Sequence, residues 1–237
     1  MEIKVIFDED SCAKNLHIGW GVSFLVDNRI LFDTGENGQW LIENIDKLGI
    51  NLAEFEAVVI SHDHWDHAGG LWEILARRKG ITVYACPHFS AEFKEKVKKL
   101  QGIFVETEKF KEIAKDIFIT GEIPGVYHGS DMPEQALIVK TQNGLTVMTG
   151  CAHPGILKIL ERVRRKFPGE TIYLVFGGFH LMEEDKRIIS IIAKRFQKMK
   201  IEKVGPTHCS GKVAEEIFKE RYGDRFIPIK AGQTLNL

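Results

Sequence analysis

Apolar residues along this chain switch between two periods, and the switches mark out its elements. Short β-branched runs bounded by Gly, Asp and Asn come first, at Ile3 to Phe7, Val22 to Val26 and Ile30 to Phe32, and read as strands. Leu41, Ile42, Ile45 and Leu48 then fall at helical spacing and stop at Gly49. Ala57-Val58-Val59-Ile60 predicts a buried strand, and Leu71, Ile74 and Leu75 a helix ending near Gly80. Thr82 to Ala85 reads as strand and 89–100 as a Lys-rich helix. The middle is strand-rich, at 117–120, 136–140 and 145–149. Helix 155–166, strand 172–176, helix 184–198, a short strand near Val204, helix 211–220 and a last strand at 226–229 complete the pattern. Strand-rich halves that each carry their own helices predict two sheets packed face to face with helices outside. No linker or repeat interrupts the 237 residues, so one domain over 1–237 is expected.

Composition narrows the partners. Lys and Arg number 32 against 33 Asp and Glu, a net charge of −1, so no general field draws nucleic acid or an anionic membrane. No apolar run reaches spanning length, and Met1-Glu2-Ile3-Lys4 opens without the apolar stretch of a secretory signal. Cys12, Cys86, Cys151 and Cys209 are too widely spaced for a zinc-knuckle pair, and a reducing cytoplasm is the simplest compartment. The expected partner is a small molecule, with neither nucleic acid nor membrane.

The chemistry concentrates in Ser61-His62-Asp63-His64-Trp65-Asp66-His67, directly after the strand at 57–60. Residues two apart on an extended chain point the same way, so His62, His64 and Asp66 can converge, with His67 on a neighbouring direction once the chain turns. Imidazole nitrogen and carboxylate oxygen suit borderline divalent metals such as zinc. One ion rarely takes four ligands from so short a stretch, so the spacing suggests two pairs, one per metal. Three further histidines share a context in which an apolar strand ends in small residues and then a His: Thr149-Gly150-Cys151-Ala152-His153-Pro154-Gly155, Gly177-Gly178-Phe179-His180 and Pro206-Thr207-His208-Cys209-Ser210-Gly211. Strand ends facing one rim build a site. His88, beside Pro87, reads as structural or surface.

These motifs, with Asp33-Thr34-Gly35 upstream, resemble the metallo-β-lactamase superfamily over nearly the whole chain. The three His-bearing motifs further resemble its branch of dihydropterin ribofuranosyl-aminobenzene phosphate synthase-like proteins. The resemblance implies an α/β fold, an αβ/βα four-layer sandwich of two mixed β-sheets with helices outside. It implies one or two divalent ions, with zinc ahead of manganese or iron. His62 and His64 would bind the first with a later His, either His153 or His128, and Asp66 and His67 would bind the second with His208. Cys151 stands where many members place a bridging Asp and is a further metal candidate. Asp33 is the expected acceptor for a ligand His N–H.

The implied reaction is hydrolysis, in which a metal-bound hydroxide attacks an ester-type substrate such as a phosphoester or lactone. Asp66 would orient the nucleophile and accept its proton, and His180 would contact a substrate anion or protonate the leaving group. The start of helix 155–166 could hold a phosphate, and the turn-rich stretch 125–131 reads as a loop over the site. Two alternatives stay open: a synthase joining a pterin to a phosphorylated ribosyl-aminobenzene, and a non-catalytic metal-holding sensor.

Overall fold

Buried apolar runs set the strands, and capped amphipathic stretches set the helices. The computed structural model describes residues 1–237 and divides into two compact units, one of residues 1–109 with 230–237, the other of residues 110–229.

The first unit begins with β1 (Glu2–Phe7), β2 (Ser23–Val26) and β3 (Ile30–Phe32), followed by α1 (Gly38–Lys47). Then come β4 (Ala57–Val59), α2 (Trp65–Ala68), α3 (Leu71–Arg77), β5 (Thr82–Ala85), α4 (Ala91–Lys99) and β6 (Ile103–Glu106). The Asn37 side chain caps α1 by accepting from the Trp40 N–H, and Leu41, Ile42 and Ile45 form its buried face. Ser90 caps α4 in the same way through the Phe93 N–H.

The second unit holds β7 (Lys111–Ala114), β8 (Ile117–Ile119), a small hairpin of β9 (Val126–Tyr127) and β10 (Ser130–Asp131), then β11 (Leu137–Thr141) and β12 (Gly144–Thr149). The hairpin occupies the stretch expected to be loop. Next come α5 (Ile156–Lys166), β13 (Ile172–Gly178), α6 (Lys186–Lys198), β14 (Lys203–Thr207) and α7 (Gly211–Tyr222). The chain finally returns to the first unit as β15 (Thr234–Asn236).

Both sheets are mixed, in the expected α/β class. The first runs β15-β1-β2-β3-β4-β5-β6, and the second β14-β13-β12-β11-β8-β7. In the first, β3 to β6 are parallel and the pairings from β15 to β3 are antiparallel. In the second, β12, β13 and β14 are parallel and the rest antiparallel. Parallel strands end on the same side, and residues just past those ends gather at one edge of each sheet. Each unit has its own apolar core, around Phe55, Leu71 and Phe93 in the first and Phe179, Phe196 and Phe218 in the second.

The expected strand at 226–229 is absent. Pro228 has no N–H to give a ladder, and only Phe226 makes a bridge, to Val204. The closing strand is instead β15, antiparallel to β1.

A candidate metal centre at the strand ends

In the first unit the ligand-type residues follow β3 and β4. The chain leaves β4 through Ile60 and stays extended to His64, whose φ of −96° and ψ of 150° make it the residue before α2. The turn therefore comes at Trp65, earlier than the extended reading of 62–66 expected, and places Asp66 and His67 in the first turn of a helix. The result is two close pairs. His62 Nε2 lies 3.1 Å from His64 Nδ1, and His67 Nε2 lies 3.4 Å from Asp66 Oδ2. The rings of His62 and His67 are 4.2 Å apart.

Asp33 organises this cluster from the end of β3. It is fully buried and sits at φ 55°, a left-handed conformation that costs a non-glycine residue about 1–3 kcal/mol and marks functional sites. Its Oδ1 accepts the Ser61 N–H at 2.7 Å. Its Oδ2 accepts the Ser61 hydroxyl at 2.7 Å and lies 2.7 Å from His67 Nδ1. A carboxylate can only accept, so His67 carries its proton on Nδ1 and turns Nε2 away from Asp33. The Ser61 hydroxyl spends its one proton on Asp33, so it accepts from His62 Nδ1 at 2.8 Å. In the neutral tautomers these contacts fix, both histidines would offer Nε2, the form in which imidazole binds a metal. Burial alone pulls the His67 pKa down, but the charges of Asp33 and Asp66 and their hydrogen bonds outweigh it and raise it well above the usual range. Without an ion a proton holds this cluster together; a cation serves the same electrostatic need.

Gly70 lets the loop close. A Cβ on Gly70 would stand 2.2 Å from the Thr34 carbonyl. That contact lets the Thr34 hydroxyl donate to the His67 carbonyl at 2.7 Å.

In the second unit the candidates follow β12, β13 and β14. Cys151 Sγ lies 3.4 Å from His208 Nε2. The donor atoms of Cys151, His153 and His180 lie within 4.8 Å of one another. Ala152, His180 and His208 adopt left-handed φ values of 64°, 53° and 54°, the same strain at strand ends that Asp33 shows. Gly178 allows the crowding, since a Cβ there would stand 2.2 Å from the Gly150 carbonyl and 2.6 Å from Cys209 Sγ. His128 is separate from this group: it sits exposed on the β9–β10 turn against the Tyr127 ring. His88 is exposed too.

Two participants here carry no role in the sequence reading: Glu134, which stands in no motif, and Cys209, which stands in one beside His208. Fully buried Glu134 accepts the N–H groups of Cys151 at 3.0 Å, Ala152 at 2.9 Å and His153 at 2.8 Å. The only sequence signal is an acid directly before an apolar strand. Cys209 is the other. Burial pushes its thiol up, but hydrogen bonds with Cys151 and His180 and the charges of His208 and His180 bring it well below the usual thiol range. The same contact with Cys209 raises His180, against the effect of burial.

The sequence profile of the metallo-β-lactamase superfamily matches residues 21–185, and the chain belongs to that superfamily. Among its relatives is the 7,8-dihydropterin-6-methyl-4-(β-D-ribofuranosyl)-aminobenzene-5′-phosphate synthase of Methanocaldococcus jannaschii, 30% identical over 91% of this chain and 89% of that protein. A solved metal-dependent hydrolase of the β-lactamase superfamily is 32% identical, with a TM-score of 0.84 over 100% of this chain and 99% of the other. Human tRNase Z, short form, shares the fold alone, at 13% identity and a TM-score of 0.63 over 100% and 99% of the two chains. No helix of the structure is long and apolar enough to cross a membrane.

Proposed function

We propose that this protein is a metal-dependent hydrolase acting on an ester-type small molecule, such as a phosphoester or lactone. The observation that carries this reading is the pre-set donor cluster after β4. His62 and His67 have their Nδ1 atoms committed to Ser61 and Asp33, so that Nε2 is presented beside His64 and Asp66. Nitrogen, oxygen and sulfur donors of this kind fit a borderline divalent ion, zinc ahead of manganese or iron. On the family's pattern, His62, His64 and His153 would hold one ion, and Asp66, His67 and His208 a second, with Cys151 beside it. A bound divalent ion supplies Lewis-acid activation of water and of a substrate oxygen.

The chain's own residues supply the rest. Asp66 offers a carboxylate oxygen that orients water and takes its proton. His180, raised by its contact with Cys209, is suited to hold a proton and to meet a substrate anion or a leaving group. Cys151 and Cys209 must stay reduced to serve here, which suits a reducing compartment such as the cytoplasm. We read the two units as one domain, because the family match runs through residues of both.

Metal analysis of the purified protein, followed by a screen with phosphodiester, phosphomonoester, lactone and thioester substrates, tests the proposal. The expected outcome is one or two equivalents of metal and hydrolysis of one substrate class, abolished by chelation and restored by added ion. Undiminished turnover after complete metal removal would overturn it. A synthase reading has one specific support, the 30% identity to the Methanocaldococcus jannaschii synthase along 91% of the chain. Product formation from a pterin and a phosphorylated ribosyl-aminobenzene, with no hydrolysis in the screen, would favour it.

A further inference from the structure

Three donors in the second unit converge without help from the first. The ligand-type atoms of Cys151, His153 and His180 all lie within 4.8 Å of one another. The His153 and His180 rings stand 4.5 Å apart, tilted by 55°, and Tyr127 meets them edge-on at 5.0 Å and 5.6 Å. All four residues belong to the second unit. Two of the donors ride on the loop after β12, whose Cys151 and His153 N–H groups are tied to Glu134 at 3.0 Å and 2.8 Å. The third follows β13, which runs parallel to β12 and pairs with it as far as Thr149 and Gly177. Parallel strands deliver their ends to one edge, so the two loops meet there.

The donor types decide what this cluster suits. One sulfur and two imidazole nitrogens are the ligands that zinc and softer ions select. Ligands bound about 2.0–2.3 Å from a tetrahedral ion lie about 3.5 Å apart, so side-chain movements of about an ångström close the set. The Nδ1 atom of His180 is buried with no hydrogen-bond partner, an unusual state for a buried nitrogen unless it serves a ligand. Cys209 hydrogen-bonds with Cys151 and with His180. It therefore stands behind two of the three donors, as the partners outside a metal's ligand set do.

We propose that Cys151, His153 and His180 form a metal site of the second unit's own, for a soft divalent ion, with three protein donors and a fourth position open to water or an exogenous ligand. It shares Cys151 and His153 with the ligand set given above and competes with that set. His180 belongs to this site alone, and no donor comes from the loop at 62–67. The protein therefore takes up a thiolate-bound ion even when that loop is disabled.

Cadmium titration of the metal-free protein tests this, followed by the ultraviolet absorption of the sulfur–cadmium bond, in the background His64→Ala/Asp66→Asn. Should that variant fail to fold, His62→Gln/His67→Gln is the second background, and the same results are expected in it. The folded background protein is expected to bind one equivalent of cadmium with that absorption. Adding Cys151→Ser should abolish the absorption, and adding His153→Ala or His180→Ala should weaken binding at least about tenfold. Absence of sulfur–cadmium absorption in a folded background, or equal affinity with and without His180, would overturn the proposal. So would loss of the absorption with Cys209→Ser but not with Cys151→Ser, which would put the ion on the other sulfur. None of these readings needs turnover. The hydrolase reading survives a failed titration, and a successful titration survives metal-independent turnover.

Discussion

Asp33 and His67 share a contact of 2.7 Å between two side chains that are both fully buried. Neither residue is a spectator to the other. The carboxylate fixes the imidazole tautomer, and the imidazole balances a charge that burial would otherwise make costly. Asp33→Asn keeps the shape but removes the charge, and its amide cannot accept from both Ser61 groups and His67 at once. The expected outcome is metal affinity lower by about 10–100-fold, the usual effect of losing the carboxylate behind a ligand histidine. Competition with a chromophoric chelator reads this directly. Full metal retention in folded Asp33→Asn would show that the contact does not serve the metal.

Glu134 does in the second unit what Asp33 does in the first, but through backbone. It fixes three consecutive N–H groups of the loop that carries Cys151 and His153. Glu134→Ala would leave three buried donors to find new partners, at about 1–3 kcal/mol each. We expect it to lower unfolding stability by roughly 3 kcal/mol or more. Glu134→Gln, which keeps one acceptor oxygen, should fall between that variant and wild type. Denaturant unfolding of the three proteins checks the order; equal stability of wild type and Glu134→Ala would remove the anchoring role.

The contrast between these two carboxylates explains what the sequence made legible. His62, His64, Asp66 and His67 could be read because their geometry is local: four donors on one turn after an apolar run. His153, His180 and His208 could be read because each follows a strand through small residues. Glu134 reaches a loop 17 positions away, and nothing in Pro133-Glu134-Gln135 records that distance. Asp33 was legible only through the Asp-Thr-Gly that accompanies it in the family. Among the elements, strands buried on both faces were visible as apolar runs, whereas β6 and β7 are half-exposed edge strands whose mixed composition gave no alternation. Residues 226–229 show the reverse error: β-branched content suggested a strand, and Pro228 prevented the ladder.

Cys151 bears on how many ions are held. Its sulfur stands 3.4 Å from His208 Nε2, just past the end of β12, where the resemblance implied a bridging carboxylate. A thiolate bridges two ions less well than a carboxylate. On the proposed ligand set, dialysis of wild type should therefore remove one ion before the other. Cys151→Asp should narrow that gap by tightening the weaker ion about tenfold or more. Titration of zinc into both apo-proteins tests this; identical affinities would mean that Cys151 packs behind the site without touching either ion.

Tyr222 tests the electrostatics of the core away from the site. It closes α7 against Phe218, and its hydroxyl is buried without a hydrogen-bond partner. Burial pushes its pKa up to about 12, opposed by the Arg225 guanidinium 5.3 Å above the ring. The sign follows from the ordinary tyrosine value of about 10 in the unfolded chain. Below that pH both states keep the phenol proton and Tyr222 adds no pH dependence. As pH rises from about 10 to about 12, the unfolded chain loses the proton while the folded chain still holds it, so stability falls through that window. Tyr222→Phe has no proton to lose and no orphaned hydroxyl to bury. It should match or exceed wild-type stability at pH 8, and its advantage should grow above about pH 10. Denaturant midpoints of the two proteins from pH 8 to pH 11 supply the measurement. A constant difference across that range would show that the Tyr222 phenol ionises as readily in the folded protein as in the unfolded chain, and that its surroundings are wetter than the buried hydroxyl implies.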